Sequence, residues 1–278
     1  MNVLEFTSLV WIGSFLAGLL GSLTGLGGGV VIVPLLTLAF GVDIRYAIGA
    51  SLVSVIATSS GAASAYVKEG FTNIRIGMFL EIAATLGAMC GAFLASRIHT
   101  SWLAVIFGVV LIHSAYLSLR PRHEVKENDR PDMLATRLRL DGSFPTAEGQ
   151  QTYHVHAVPT GFGLLFSAGA LSGLLGIGSG AVKVLAMDHF MRIPFKVSTT
   201  TSNFMIGVTA AASVGIYLNR GYIDPGLSMP VMLGVLTGSI TGARILVKTR
   251  TSLLRLIFSM VMLLIAVQMI YNGLTGRV

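Results

Sequence analysis

Lys183 stands in "GIGSGAVKVLAM", residues 176–187, where its neighbours are apolar apart from glycines and one serine. A charge inside such a run costs about 2.5–3.5 kcal/mol even on the gentler insertion scale, so it needs a task that offsets the cost. Binding an anion is one such task. Holding carbonyls at a broken helix, or snorkelling to an interface, is the other. The stretch "KVSTTTSNFMIGVTAAAS", 196–213, adds Thr201, Ser202, Asn203 and Thr209. Hydroxyls and a carboxamide donate hydrogen bonds to an oxyanion without adding charge. Ser202 and Thr209 lie seven residues apart and share a helix face, as do Ser51 and Thr58 earlier in the chain. Ser202 and Asn203 form the preferred ligand pair, although membrane Ser and Thr often bond their own helix instead. Asp188 and His189 end the short run beyond Lys183 and suit a vestibule, while Glu81, early in its own apolar run, stays open to either role.

Glycines set these residues apart from an ordinary span. Gly25, Gly27 and Gly29 fall in "GSLTGLGGGVVIVP", and Gly176, Gly178 and Gly180 enclose Ser179 in the second run. The pieces that follow, 30–40 and 181–191, are about 16 Å long as helices and too short to cross a ~30 Å hydrocarbon core. Each therefore reads as a half-helix. Glycine lets the backbone leave helical geometry, and freed N–H and C=O groups inside a membrane are tolerated only where they are buried in protein or line a polar cavity. Unpaired N–H groups at the two turns would then add to an anion site. Close helix packing alone is the competing explanation of the glycines.

Composition supplies the setting. The 278 residues are 53% hydrophobic and 11% charged, too little polar surface to cover a soluble core. We therefore expect an all-α integral membrane protein held in the lipid bilayer. Apolar stretches recur at 8–40, 46–67, 76–95, 101–119, 160–191, 197–218, 228–247 and 253–273, without the alternation of barrel strands. The first run follows no basic residue and is too long for a signal-peptide core. Cys90 is the only cysteine, which excludes an internal disulfide, and no residue pattern calls for a cofactor or metal. The net charge of +7 sits in short loops, as a topology signal does, so a nucleic-acid partner is not expected.

A shift of 151 residues lays "AGLLGSLTGLGGGVVIV" over "AGALSGLLGIGSGAVKV" and keeps its register through Ile257-Phe258. We read repeat 1 over 1–119, a polar cytoplasmic linker over 120–158 and repeat 2 over 159–278. Alternation in "TRLRL" and "TYHVHAV" predicts a β-hairpin within the linker. If the chain turns back at the glycines, fourteen basic residues share a side, among them Arg75, Arg137, Arg139, Arg192 and Lys196, and only Arg45, Arg97, Arg220 and Arg277 lie opposite. That bias favours inverted repeats with the linker inside the cell. Eight conventional spans, with a ten-to-eight division, are the alternative. Ala83, Gly87, Gly91 and Ala95, with Gly234, Gly238 and Gly242, form small-residue faces that could join a homodimer or pack within one protomer.

"SLTGLGGGVVIVP", "GLLGIGSGAVKV" and above all "KVSTTTSNFMIGVTAAAS" resemble the TauE/SafE family of membrane transporters, over both repeats. Ser179 replaces Gly28, and Leu185 replaces Pro34, between the two copies. The resemblance implies export of sulfite or an organosulfonate from the cell through the inner (plasma) membrane. A negative-inside potential, ~2.3 kcal/mol per charge per 100 mV, could drive such efflux without a coupling ion. Uptake of another small organic anion, and a membrane protein that transports nothing, remain as alternatives. A serine protease built on Ser179 is disfavoured, because Ile177 occupies the place of a nucleophile-motif glycine.

Overall fold

The computed structural model describes residues 2–24, 29–68, 71–119, 132–146, 149–246 and 251–276. The first half contains α1 (Val3–Thr24), α2 (Gly29–Pro34) with a π-helical turn (Leu35–Ala39), α3 (Ile44–Lys68), α4 (Ile74–Ala95) and α5 (Thr100–Leu119). A short α6 (Met133–Arg137) and strands β1 (Gly142–Thr146) and β2 (Gly149–Tyr153) follow. The second half contains α7 (Val158–Leu175), α8 (Gly180–Leu185) with a π-helical turn (Ala186–Phe190), α9 (Phe195–Asn219), α10 (Pro225–Leu246) and α11 (Thr251–Leu274). Helix dominates, and α4, α7 and α9 are each long and apolar enough to cross a membrane. The protein is an all-α membrane protein. From α2 to α4 every boundary recurs, 151 residues on, from α8 to α10.

The apolar stretches expected at 8–40 and 160–191 each divide at their glycines, into α1 and α2 and into α7 and α8. Gly25 and Gly27 lie outside the described residues. The pieces beyond the breaks are not uniform half-helices: each is six α-helical residues followed by a five-residue π turn. Pro34 is not the cause of that turn, because Leu185 takes its place in the second copy and the turn forms there too. Every residue of α2 is buried, which suits a segment that is apolar all round.

Lipid faces and packing faces divide each long helix. Along α4, Met78, Ile82, Leu86, Met89 and Phe93 point outward, while Ala84, Gly87, Ala88 and Gly91 turn inward. With lipid as apolar as leucine, helix pairing in a membrane depends on close van der Waals contact, which small residues permit. Gly87 and Gly91 lie against the backbone of Phe166 and Ala170 on α7, and Gly169 and Gly173 return the contact to Ala84 and Ala88. Likewise Gly234 and Gly238 of α10 meet Trp11, Phe15 and Leu19 of α1, and Gly18 meets Val235. These faces are therefore used within the chain and supply no argument for a homodimer.

Helices α3 and α9 cross in opposite directions. Arg45, at the start of α3, lies over the Tyr222 ring just past the end of α9 at 5.7 Å. At the other end of the pair, the Asn73 amide just past α3 donates to Thr201 Oγ1 near the start of α9, at 3.1 Å. Arg45 and Arg220 share one end of the bundle, donating to the carbonyls of Ile98 and Phe93. Arg75, which donates to the Arg139 carbonyl, lies with the linker at the other.

In the linker the hairpin pairs Gly142 with Tyr153 and Thr146 with Gly149, so its strands fall largely in the segment expected to be the turn. "TRLRL" is instead the end of α6 and the turn after it, because Asp132 caps that helix through the Leu134 amide. Leu140, Tyr153 and Val155 pack against Ile76, Met191 and Ile193, closing this end of the bundle. Asn73 fastens it: its Oδ1 caps α4 at the Ile76 amide, while its Nδ2 donates to Tyr153 Oη at 2.7 Å and to the Leu140 carbonyl. Replacing Asn73 by alanine removes a cap and two bonds at once, a loss of about 2–4 kcal/mol. Faster limited proteolysis of the hairpin is the expected result, with the flanking helices intact.

Candidate functional site

Gly29, which opens α2, and Gly176, which closes α7, meet where α3 crosses α9. Ser51 Oγ donates to the Gly176 carbonyl at 2.7 Å and lies 3.3 Å from the Gly29 carbonyl, and Ser202 Oγ lies 3.3 Å from the Gly180 carbonyl. Matched serines thus bond the matched first carbonyls of α2 and α8, and Ser51 also holds the Gly176 carbonyl, which the end of α7 leaves free. Ser51 and Ser202 are buried, and in this state their hydroxyls serve the backbone.

Gly176 and Gly178 take φ of +69° and +70°, and Ser179 between Gly178 and Gly180 takes +46°. A non-glycine residue there is strained, and such strain persists where surrounding structure enforces it. Ser179 Oγ is buried and finds no hydrogen-bond partner among the described residues. A nucleophilic serine needs a base, so the protease alternative gains no support. A Cβ on Gly178 would stand 3.1 Å from Ile206 Cγ2 and 3.3 Å from Val55 Cγ1. Gly178→Ala therefore combines a left-handed penalty of about 1–2 kcal/mol with crowding at the seam. Its thermal midpoint should fall, whereas Gly215→Ala, which meets open space on α9, serves as the control.

Lys183 is fully buried, and its environment is not that of a lone cation. Its Nζ donates to Thr209 Oγ1 on α9 and lies 3.9 Å from Glu81 Oε2 on α4. Thr209 Oγ1 lies 2.6 Å from Glu81 Oε1, which also accepts from Thr85 at 3.1 Å. The expectation took Lys183 as a charge awaiting an anion; a carboxylate from the other half already faces it. Glu81 is the residue that sequence reading left unresolved. Its signal was that it is the one acid within the apolar stretch 76–95, as Lys183 is the one lysine or arginine in its own run.

The set is polar on one side of the repeat only. Ile32 and Met232 stand 151 residues from Lys183 and Glu81, and Thr58, the counterpart of Thr209, bonds its own helix at Ser54 and Val55. Thr201 is buried at the linker end with Asn73, about two turns from Thr209. Asn203, half-buried, follows Ser202 by one residue and so projects about a quarter-turn away on α9. The structure therefore brings together Lys183, Thr209 and Glu81, and separately Ser51, Ser202, Gly29, Gly176 and Gly180. It does not bring Thr58 or Thr201 into either group.

Helices broken in matched places, outward apolar faces and a charge pair sealed in the interior define a helical membrane transporter. The chain belongs to the TauE/SafE sulfite exporter family, which matches residues 10–269. It is 31% identical to the probable membrane transporter protein YunE of Bacillus subtilis, over 98% of this chain and 99% of that one. It is 28% identical to the probable membrane transporter protein YdhB of the same organism, over 83% and 86% of the two chains. The probable membrane transporter protein MJ0441 of Methanocaldococcus jannaschii is 27% identical over 91% of each. No solved structure matches the chain.

Proposed function

We propose that this chain exports a small anion, sulfite or an organosulfonate, across the cell's inner membrane as a multi-pass carrier. The observation that carries the reading is Lys183, a fully buried ammonium beside a helix break. Sulfur chemistry enters from the family's description, and outward direction with it. Lys183 supplies the charge. Ser202, Ser51 and Thr209 supply hydroxyls once they release their present acceptors, Ser179 supplies an unengaged one, and the turns at Gly25–Gly29 and Gly176–Gly180 supply amides. Asn203 serves only after a rotation of α9, and Thr201 and Thr58 only once they leave Asn73 and the α3 backbone. The opposite courses of α3 and α9 and the fourteen-to-four charge division support inverted repeats, with alternating access about the crossing.

Flux in proteoliposomes tests the proposal. Purified protein should carry radiolabelled sulfite or methanesulfonate well above protein-free vesicles and should not carry rubidium. Equal passage of rubidium and the anions would refute the reading, as would passage of neither.

A further inference from the structure

The geometry points to Glu81 as a proton-binding residue whose protonation frees Lys183 for the anion, so that one proton travels with each monovalent anion and its transport is electroneutral. This rests on the anion-transport reading above and adds the coupling ion to it.

Charge is the first ground. Lys183 and Glu81 are 0% and 7% exposed, they come from different halves of the chain, and together they sum to zero. A monovalent anion bound at Lys183 while Glu81 is ionised would leave a net negative charge in a low-dielectric interior, where unpaired charge is costly. Uptake of one proton by Glu81 removes that excess. The ammonium keeps its proton and exchanges its carboxylate neighbour for the anion.

Geometry is the second. Oε1 of Glu81 is bonded to Thr209 and Thr85, whereas Oε2 is buried, has no hydrogen-bond partner among the described residues and lies 3.9 Å from Nζ. The proton, taken from water on the open side, adds to Oε2; it returns to water when the anion leaves on the other side. Among the described residues no other charged group stands in for either partner: α5, which touches α8, has only His113 and Tyr116 as titratable side chains, and both are exposed. Helix α7, packed against α4, has no ionisable side chain, and α8 has only Lys183. On α9, Lys196 lies over the Phe71 ring and Tyr217 bonds the carbonyls of Gly173 and Leu174. Asp188 and His189 lie beyond α8, on its π turn. On α4 itself, Arg75 is engaged with the Arg139 carbonyl.

The membrane potential then contributes nothing to efflux, in contrast to the uncoupled carrier that the sequence allowed. Export proceeds when the anion gradient exceeds the opposing proton gradient.

Proteoliposomes loaded with the pH dye pyranine, and clamped with potassium and valinomycin, test this with methanesulfonate, whose charge does not change with pH. Inward methanesulfonate flux through the parent should acidify the lumen by one proton per anion. Its steady-state accumulation should be the same with and without a potential of about 100 mV, whereas an uncoupled monovalent carrier shifts roughly 50-fold. In Glu81→Gln the ratio of counterflow to net flux should rise at least tenfold and the residual net flux should lose its proton. Voltage-driven, proton-free flux through the parent would overturn the coupling and leave the transport reading standing. Absence of both methanesulfonate and sulfite flux would overturn the transport reading, and the coupling with it.

Discussion

Lys183→Met should yield a protein that melts well below the parent and carries no anion, and adding Glu81→Gln should restore the melting point without restoring flux. The reason lies in the burial of both partners. Removing one member of a buried ion pair strands the other, at about 3–5 kcal/mol, whereas replacing both by uncharged groups of similar shape is close to neutral. Here the stranded group would be Glu81, 7% exposed, with Thr209 and Thr85 as its remaining partners. Thermal unfolding in detergent, read alongside proteoliposome flux, separates the two effects. A coupling energy near zero between the two substitutions would mean that the 3.9 Å approach has no energetic weight. A double variant that still carried sulfite would remove the lysine from the site.

The second large effect is expected at the α4–α7 seam. Gly173→Ala would place a methyl group 2.8 Å from the carbonyl carbon of Ala88 and 3.0 Å from its Cα, and Gly169→Ala does nearly the same at Ala84. The obstacles are backbone atoms, so no side-chain rotation relieves them and the helices must part. Overpacking of this kind costs about 1–3 kcal/mol per site, and two sites on one face act together. Gly163→Ala, on the same helix but facing open space, should be neutral or gain up to about 1 kcal/mol from helix propensity. Loss of the monodisperse peak in size-exclusion chromatography for the Gly169 and Gly173 double variant, with Gly163→Ala unaffected, is the predicted pattern. Equal behaviour of the two variants would show that the seam tolerates separation.

The helical membrane class could be read from the sequence because lipid demands long apolar stretches, and those are visible one residue at a time. The glycine breaks could be read because the same short pattern occurs at two places. What escaped was pairing across the chain. Nothing local in "FLEIAATLG" says that Glu81 meets a lysine about a hundred residues later, because that contact exists only once α4 and α8 both pack against α9. The hairpin slipped for a different reason: alternation in "TRLRL" resembles a strand, but Asp132 three residues before Ala135 caps a helix there, and the strands formed on "GSFPT" and "GQQTY" instead. Ser51 and Ser202 were recognised by type and spacing, yet their current acceptors are main-chain carbonyls, which no side-chain pattern announces.

The glycine seams also decide which parts of the protein can move as units. One fuses α4 to α7 and the other fuses α1 to α10, backbone against backbone, so each welded pair takes one helix from either half of the chain. The mechanical parts are therefore not the genetic ones. Ser51 of α3 and Ser202 of α9, by contrast, each reach the break between α7 and α8 through a single hydroxyl, and in the carrier proposed above relative motion would fall there, with each covalent half stretched across both welded pairs.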